Sequence, residues 1–230
     1  MNNKDNDLLD LLKSLYDRSR KLSNKKGLKL INTEMNTIIL DYLKEKYAKQ
    51  ARKYILERDK NNKKIKPKVN SVINTLNKNI NIKTIGSPIE FKLMSSYSSG
   101  LNLVGESDVD IGCLVDKLDT INLMKINVKL YELGFVPTGL YVNPKDSSNK
   151  YFSFEKTIDG IEFEVKVRDK TDSNQIVQLD ELVETKLTKT QKKFYTYAKY
   201  ILKGSEGYKY IKLFIAESVF FYIKNSYMFN

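Results

Sequence analysis

Leu8, Leu9, Leu11, Leu12, Leu15 and Tyr16 recur with Asp and Lys between them, a spacing that predicts a helix over residues 7–22. Gly27 interrupts the pattern. From Thr33-Glu34 a second helical run continues through Ile38, Ile39, Tyr42, Leu43, Tyr47 and Tyr54 to about residue 59. Asp59-Lys-Asn-Asn-Lys-Lys reads as a polar break, and Pro67 is placed to open a third helix from Val69 to Asn79. The period changes after Asn81. Residues 91–96 read as a short strand and 108–115 as a second, with Val109, Ile111, Cys113 and Val115 on one face. Residues 119–132 suit a helix. Residues 135–142, 151–156 and 161–167 read as three more strands, the last two joined by a Thr-Ile-Asp-Gly turn. From Gln175 the pattern is helical again, with a break at Lys203-Gly204-Ser-Glu-Gly207. The expectation is an α+β protein. A helical region 1–80 precedes a mixed-sheet core within 81–170, its sheet over about 85–168, and helices of 171–230 pack on that core.

Composition narrows the chemistry. With 41% apolar residues, 15 Tyr and 10 Phe, the chain is globular and not a basic disordered tail. There is no histidine, which removes Ser-His-Asp and Cys-His triads, His-ligated zinc and imidazole acid–base catalysis. Carboxylates, lysines, hydroxyls or an oxygen-held metal must do any catalytic work. The single Cys113 lies on the apolar face of its strand, reads as structural and fits a reducing compartment. The N-terminus lacks a signal pattern, and the apolar stretch 213–223 is short and carries Glu217, so a soluble cytoplasmic protein with no membrane partner is expected. The formal charge of +12 points to a polyanion, although a general Lys/Asn bias accounts for it equally well. The basic stretches 20–29 and 58–68 suit phosphate-backbone contacts, with solvated helix ends as the plain alternative.

The run from Leu93 to Ile111, Leu-Met-Ser-Ser-Tyr-Ser-Ser-Gly-Leu-Asn-Leu-Val-Gly-Glu-Ser-Asp-Val-Asp-Ile, is the informative one. Asp108 and Asp110 are two apart in a strand, so both carboxylates leave the same face, roughly 7 Å apart along the chain. Such a pair repels unless cations sit between, and Mg²⁺ takes carboxylate, water and phosphate oxygens. Upstream, Ser95-Ser96 leads into Tyr97-Ser-Ser-Gly-Leu, a turn rich in hydroxyl and N–H donors suited to phosphate oxygens. In the last strand Ile161, Phe163, Val165 and Val167 share one face while Glu162, Glu164 and Lys166 share the other, which offers a third carboxylate. Phosphate donors and three strand-borne carboxylates are what metal-assisted nucleotidyl transfer requires. A packed tyrosine at Tyr97 and a solvated Glu162 are the plain alternatives.

Here the chain resembles the polymerase-β-like nucleotidyltransferase superfamily. Its signature is a Gly-Ser pair, 9–13 residues, Asp-x-Asp, and an acidic residue on a later strand. In this sequence Ser95-Ser96 is followed by the eleven residues from Tyr97 to Ser107 and then Asp108-Val109-Asp110. The Tyr97-Ser-Ser-Gly-Leu and Ser107-Asp-Val-Asp-Ile segments look like those of non-templated poly(A) and terminal uridylyl polymerases. Gly160-Ile-Glu-Phe-Glu-Val resembles their third motif and puts the third carboxylate at Glu164. The resemblance covers about residues 90–168. Gly86-Ser87 is too far from Asp108 for the signature and reads as a turn before Pro88.

The resemblance implies an enzyme that adds nucleotides from an NTP, ATP first, to an RNA 3′ end. It implies two Mg²⁺ or Mn²⁺ ions held by Asp108, Asp110 and Glu164. Ser95, Ser96 and Tyr97 would meet the nucleotide, and Lys193 or Lys199, on a later helix, would meet its triphosphate. Two departures stand out: the first glycine of the pair is Ser95, and the usual third Asp is Glu164. They keep open an inactive module that binds RNA or a partner subunit. The same fold also serves synthases of cyclic or 2′-5′ oligonucleotides and enzymes that modify small molecules or proteins. The N-terminal helices are free to form an oligomer or partner contact.

Overall fold

A computed structural model describes the backbone of residues 3–21, 25–105, 108–143, 146–170 and 182–226. The chain divides into two compact units. One, mostly helical, comprises residues 1–60, 100–103 and 181–230; the other, built on the sheet, comprises residues 61–99 and 104–180.

The helical unit contains α1 (Asn3–Arg20), most of α2 (Lys25–Asn79), α6 (Lys189–Ile201) and α7 (Gly207–Ser226). Leu8, Leu12 and Leu15 of α1 are buried at helical spacing, as are Ile39, Leu43, Tyr47, Ala51 and Tyr54 of α2. They form a core with Phe194, Tyr195, Ala198, Ile211 and Phe214 of the same unit. Tyrosines supply much of the packing: Tyr54 stacks on Tyr200 with ring centroids 4.3 Å apart, and Tyr47 lies 5.7 Å from Tyr197. The Tyr195 hydroxyl donates to Asn36 Oδ1, which satisfies a phenol that is fully buried. Thr188 caps α6 through a reciprocal pair with Gln191. The break expected near Lys203 is present, as a turn at 202–206. Among the described residues, no helix is long and apolar enough to cross a membrane.

Two expected breaks are absent. Gly27 lies inside α2, and α2 runs without interruption through Asp59–Lys64 and past Pro67. The polar run contains no residue that forbids helix: its lysines favour one, and its Asp and Asn disfavour it only mildly. Pro67 removes just one N–H, the one that would bond the Lys63 carbonyl. Lys63 and Pro67 are both exposed, so the lost bond falls on the solvent side of the helix. Beyond it Val69, Leu76 and Ile80 are buried in the sheet unit and hold the helix in place. Residues 61–79 therefore belong with the sheet. Residues 175–181 and all but Lys21 of the side chains in the basic stretch 20–29 lie outside the described residues; a helical turn covers 182–186.

The sheet has five strands, β1 (Ile89–Leu93), β2 (Val109–Val115), β3 (Val136–Asn143), β4 (Asp146–Ile158) and β5 (Ile161–Asp169), in the order β1-β2-β5-β4-β3. Only the β2–β5 pair is parallel. The mixed sheet and its flanking helices make this an α+β fold. The β4–β5 hairpin turns at Asp159-Gly160, both at positive φ (49° and 76°), the geometry that matches the twist of paired strands. One face of the sheet is apolar. Val109, Ile111, Cys113 and Val115 of β2 and Phe163, Val165 and Val167 of β5 pack there with α2 and with Ile126 and Leu130 of α5 (Thr120–Glu132). Cys113 is fully buried and burial pushes its thiol well up, so it is structural. Gly86, at φ 88°, ends the short α3 (Ile82–Ile85) as its left-handed cap, the turn expected before Pro88.

Candidate active site

The opposite face of the sheet carries the polar residues of the same strands, and its chemistry follows from register. In the parallel β2–β5 pair Asp110 stands beside Glu164, and Gly112 beside Lys166. Across the antiparallel β4–β5 pair Glu155 faces Glu164 and Ser153 faces Lys166. Asp108, just before β2, adds a third carboxylate. Ligand oxygens of Asp108, Asp110 and Glu164 all lie within 4.8 Å of one another, so the three residues singled out in the sequence do converge. Asp110 is buried, Glu164 half-buried and Asp108 exposed, which leaves the cluster open on one side. Three hard oxygen donors this close fit a divalent cation such as Mg²⁺ or Mn²⁺.

Lys166 changes the electrostatics of this cluster. Its ammonium donates to Asp110 Oδ1 and also lies 3.0 Å from Glu164 Oε2. The Ser153 hydroxyl donates to the other oxygen, Glu164 Oε1, at 2.5 Å. Burial pushes Asp110 up, opposed by Lys166 and reinforced by Asp108 and Glu164. For Glu164 burial acts upward too, but the Ser153 hydroxyl and Lys166 outweigh it and hold the carboxyl below its usual range. Burial alone would lower Lys166; the two carboxylates overcome it and keep the ammonium well above the ordinary lysine value. The cation between these carboxylates is thus a lysine of the chain itself. Lys166 was visible as a face-mate of Glu164, but its reach to Asp110 depends on the β2–β5 register, which the sequence does not state. Ser153 was missed for the same reason. Glu162 is exposed, as its plain reading had it.

The Ser95-Ser96 segment departs from expectation. The strand ends at Leu93, and Ser95–Ser99 form the short helix α4. Ser99 Oγ donates back to the Ser95 carbonyl at 2.9 Å, which shortens the turn into a closed unit. Ser95 has φ 58°, and among the described residues it shares a positive φ outside glycine only with Asp159. The backbone at Ser95 therefore takes the left-handed form that a glycine at this place would adopt freely. For an L-residue that form costs roughly 1–2 kcal/mol, against roughly 0.5–1 kcal/mol for glycine's extra freedom when unfolded. Ser95→Gly is expected to stabilise the protein by about 0.5–1 kcal/mol, seen as a higher urea midpoint; a lower midpoint would show that the serine side chain outweighs the backbone strain. Met94, between β1 and α4, donates its N–H to the Asp110 carbonyl at 2.9 Å, and a Cβ at Gly112 would come within 1.9 Å of Met94 Sδ. Gly112 is the gap through which Met94 crosses the strand that bears Asp110. Tyr97 is half-buried and packs against the sheet core. Ser107 lies outside the described residues.

Lys193 and Lys199 belong to the helical unit. Lys193 is half-buried, its ammonium 4.5 Å from the centre of the Phe194 ring. Lys199 is buried and donates to the Leu101 carbonyl at 2.7 Å, while Arg58 donates to the Gly100 carbonyl at 2.6 Å. Burial, with Lys212 and Arg58 nearby, brings Lys199 down to about 8. An unfolded chain holds this proton up to about pH 10.4, so between pH 8 and that value the unfolded state binds more protons and stability rises with pH. Below pH 8 both states are protonated and the cost of the buried cation is present in full. Between pH 8 and 10 the denaturation midpoint of the native protein should rise relative to that of Lys199→Met, in which the raised Cys113 thiol makes stability fall over the same range. Equal slopes would contradict the assignment. Above pH 10 the buried Tyr195, whose pKa is raised by burial, works in the opposite direction.

No protein-family model matches the chain, and no curated protein matches it. Among solved structures it is similar to the Cid1 poly(U) polymerase with Mg and 3′-dATP bound, at 16% identity and a TM-score of 0.46 over 65% of this chain and 48% of that one. It is also similar to the GLD-2/RNP-8 complex, at 12% identity and a TM-score of 0.48 over 72% of this chain and 64% of that one. A third likeness is to a cytoplasmic RNA terminal U-transferase, at 16% identity and a TM-score of 0.44 over 70% and 52%. The chain thus spans between about half and two thirds of the length of these structures. At such identities and scores the functional reading rests on the carboxylate cluster and the residues around it.

Proposed function

We propose that the protein is a template-independent nucleotidyltransferase that joins nucleotides from an NTP, ATP first, to the 3′ end of an RNA. The observation that supports this most is the convergence of Asp108, Asp110 and Glu164 on the polar face of the sheet. Those three residues would hold the two Mg²⁺ or Mn²⁺ ions. When bound, such ions neutralise charge on the attacking and leaving oxygens of an in-line displacement. The remaining chemistry falls to the chain. Glu164, once released from Lys166, would help take the proton of the acceptor hydroxyl as that oxygen attacks the α-phosphorus. One P–O bond forms, the bond to the bridging oxygen breaks, and pyrophosphate leaves. Ser95 and Ser96, at the start of α4, are the candidates for the β- and γ-phosphates, with Tyr97 beside them. Lys193 and Lys199 on α6 are the candidate lysines for the triphosphate, of which Lys199 is buried and bonded to the Leu101 carbonyl. The net charge of +12 favours a polyanionic acceptor over a small neutral one.

Lys166 gives a specific reason to weigh a second reading, a non-catalytic module in which the lysine permanently neutralises the cluster. One experiment separates them. Purified protein is given labelled NTPs, an RNA oligonucleotide and either Mg²⁺ or Mn²⁺. Extension of the oligonucleotide is the expected result. NTP consumption without any primer would point to a synthase of cyclic or 2′-5′ oligonucleotides, and no consumption with either metal would leave the non-catalytic reading.

A further inference from the structure

Lys166 is more than a neighbour of the cluster. Its ammonium touches two of the three carboxylates whose oxygens converge, and its side chain is only 17% exposed. Both oxygens of Glu164 are committed, Oε1 to the Ser153 hydroxyl and Oε2 to Lys166. The Tyr151 ring lies 5.6 Å from the ammonium, and Arg168 lies 4.3 Å over the same ring. A cation shared by Asp110 and Glu164 would have to enter the space that the ammonium fills, and two cations cannot share it without strong repulsion.

On the reading above of a metal-binding triad, we infer that Lys166 is the resident counter-ion of the cluster and competes with the divalent ion for Asp110 and Glu164. The protein alternates between two arrangements. In one, the ammonium bridges the carboxylates; in the other, the side chain has turned away and the oxygens face a divalent ion. Bare metal is then held weakly. The cluster stays neutralised until an ion displaces the lysine, and the displaced ammonium, with three donors and no carboxylate left, becomes available to an anionic substrate oxygen. Lys166 is in this sense a positioning residue for the reaction, set by the alternation of β5 that puts it two residues from Glu164.

The test is a titration of the full chain with Mn²⁺ alone, read by the paramagnetic signal of free ion and by calorimetry. It compares the native protein, Lys166→Met, Lys166→Gln and the pair Asp108→Asn with Asp110→Asn. Near-ultraviolet circular dichroism confirms that each is folded, and the two lysine variants guard against one failing to fold. The expected result is Mn²⁺ binding at least tenfold tighter in the lysine variants than in the native protein, and lost in the aspartate pair. Equal affinity in native and lysine variants, lost in the aspartate pair, would overturn the competition and leave the metal site standing. Weaker binding in the lysine variants would overturn it too, by showing that Lys166 orders the carboxylates for the ion. No binding to any of the four would overturn the metal-site reading itself, and the competition with it.

Discussion

Asp108→Asn combined with Asp110→Asn is expected to reduce nucleotide transfer by about a thousandfold or more while leaving the fold in place. The two carboxylates are two thirds of the charged donor set, and metal stabilisation of a phosphoryl transition state is worth several kcal/mol, of which about 4 kcal/mol corresponds to that factor. The choice of asparagine matters. Asp110 accepts from Lys166 in a site that is mostly shielded from water, and truncation to alanine would leave the ammonium with Glu164 alone. Removing one partner of a buried ion pair can cost roughly 3–5 kcal/mol, so an alanine variant confounds folding with chemistry. Asparagine keeps an oxygen for the lysine and removes the charge. Rates measured with Mg²⁺ and with Mn²⁺, beside a thermal melt, read the two effects separately. A loss of less than about tenfold would mean that the aspartates are not the metal ligands of the reaction.

Phe163→Ala is the substitution expected to damage the fold most. Phe163 sits on β5, the strand between β2 and β4, paired with Val109 on one side and Lys156 on the other. It is fully buried on the apolar face of the same strand that carries Glu164 on its other face. Removing a buried phenyl group typically costs about 3–5 kcal/mol, part lost burial and part cavity. In a chain of this size that is a fall in Tm of roughly 6–20 °C. The melt of the variant against the native protein reads it. A cost below about 1 kcal/mol would mean that the sheet's core is not packed as described.

The period-two alternation of β2 and β5 is why so much of the site could be read from the chain. Once Asp108, Asp110 and Glu164 were assigned to polar faces of strands with apolar backs, only sheet pairing was needed to bring them together, and the pairing of Asp110 with Glu164 does so. The helix expected at 119–132 and the Thr-Ile-Asp-Gly turn are both present, and the structure shows equally local support for them, Asp119 as the helix cap and Asp159-Gly160 at positive φ. What was not legible depended on partners distant in sequence. Pro67 looks like a helix start until Val69 and Leu76 are seen buried in the sheet unit, where packing overrides a single lost hydrogen bond. Ser95 gives no sign of its left-handed backbone, because serine rarely adopts one. Lys166 is plain on the face of β5, yet nothing in residue order says whether its ammonium points to water or to Asp110. Register and side-chain reach decide that.

Anomalous scattering from crystals soaked with Mn²⁺ and an NTP bears most directly on the central claim. The expected map has a manganese peak at coordinating distance, about 2.0–2.6 Å, from oxygens of Asp108, Asp110 and Glu164, with the Lys166 ammonium withdrawn from the bridge. A map at saturating Mn²⁺ with no peak at those oxygens, and Lys166 still between Asp110 and Glu164, would contradict it.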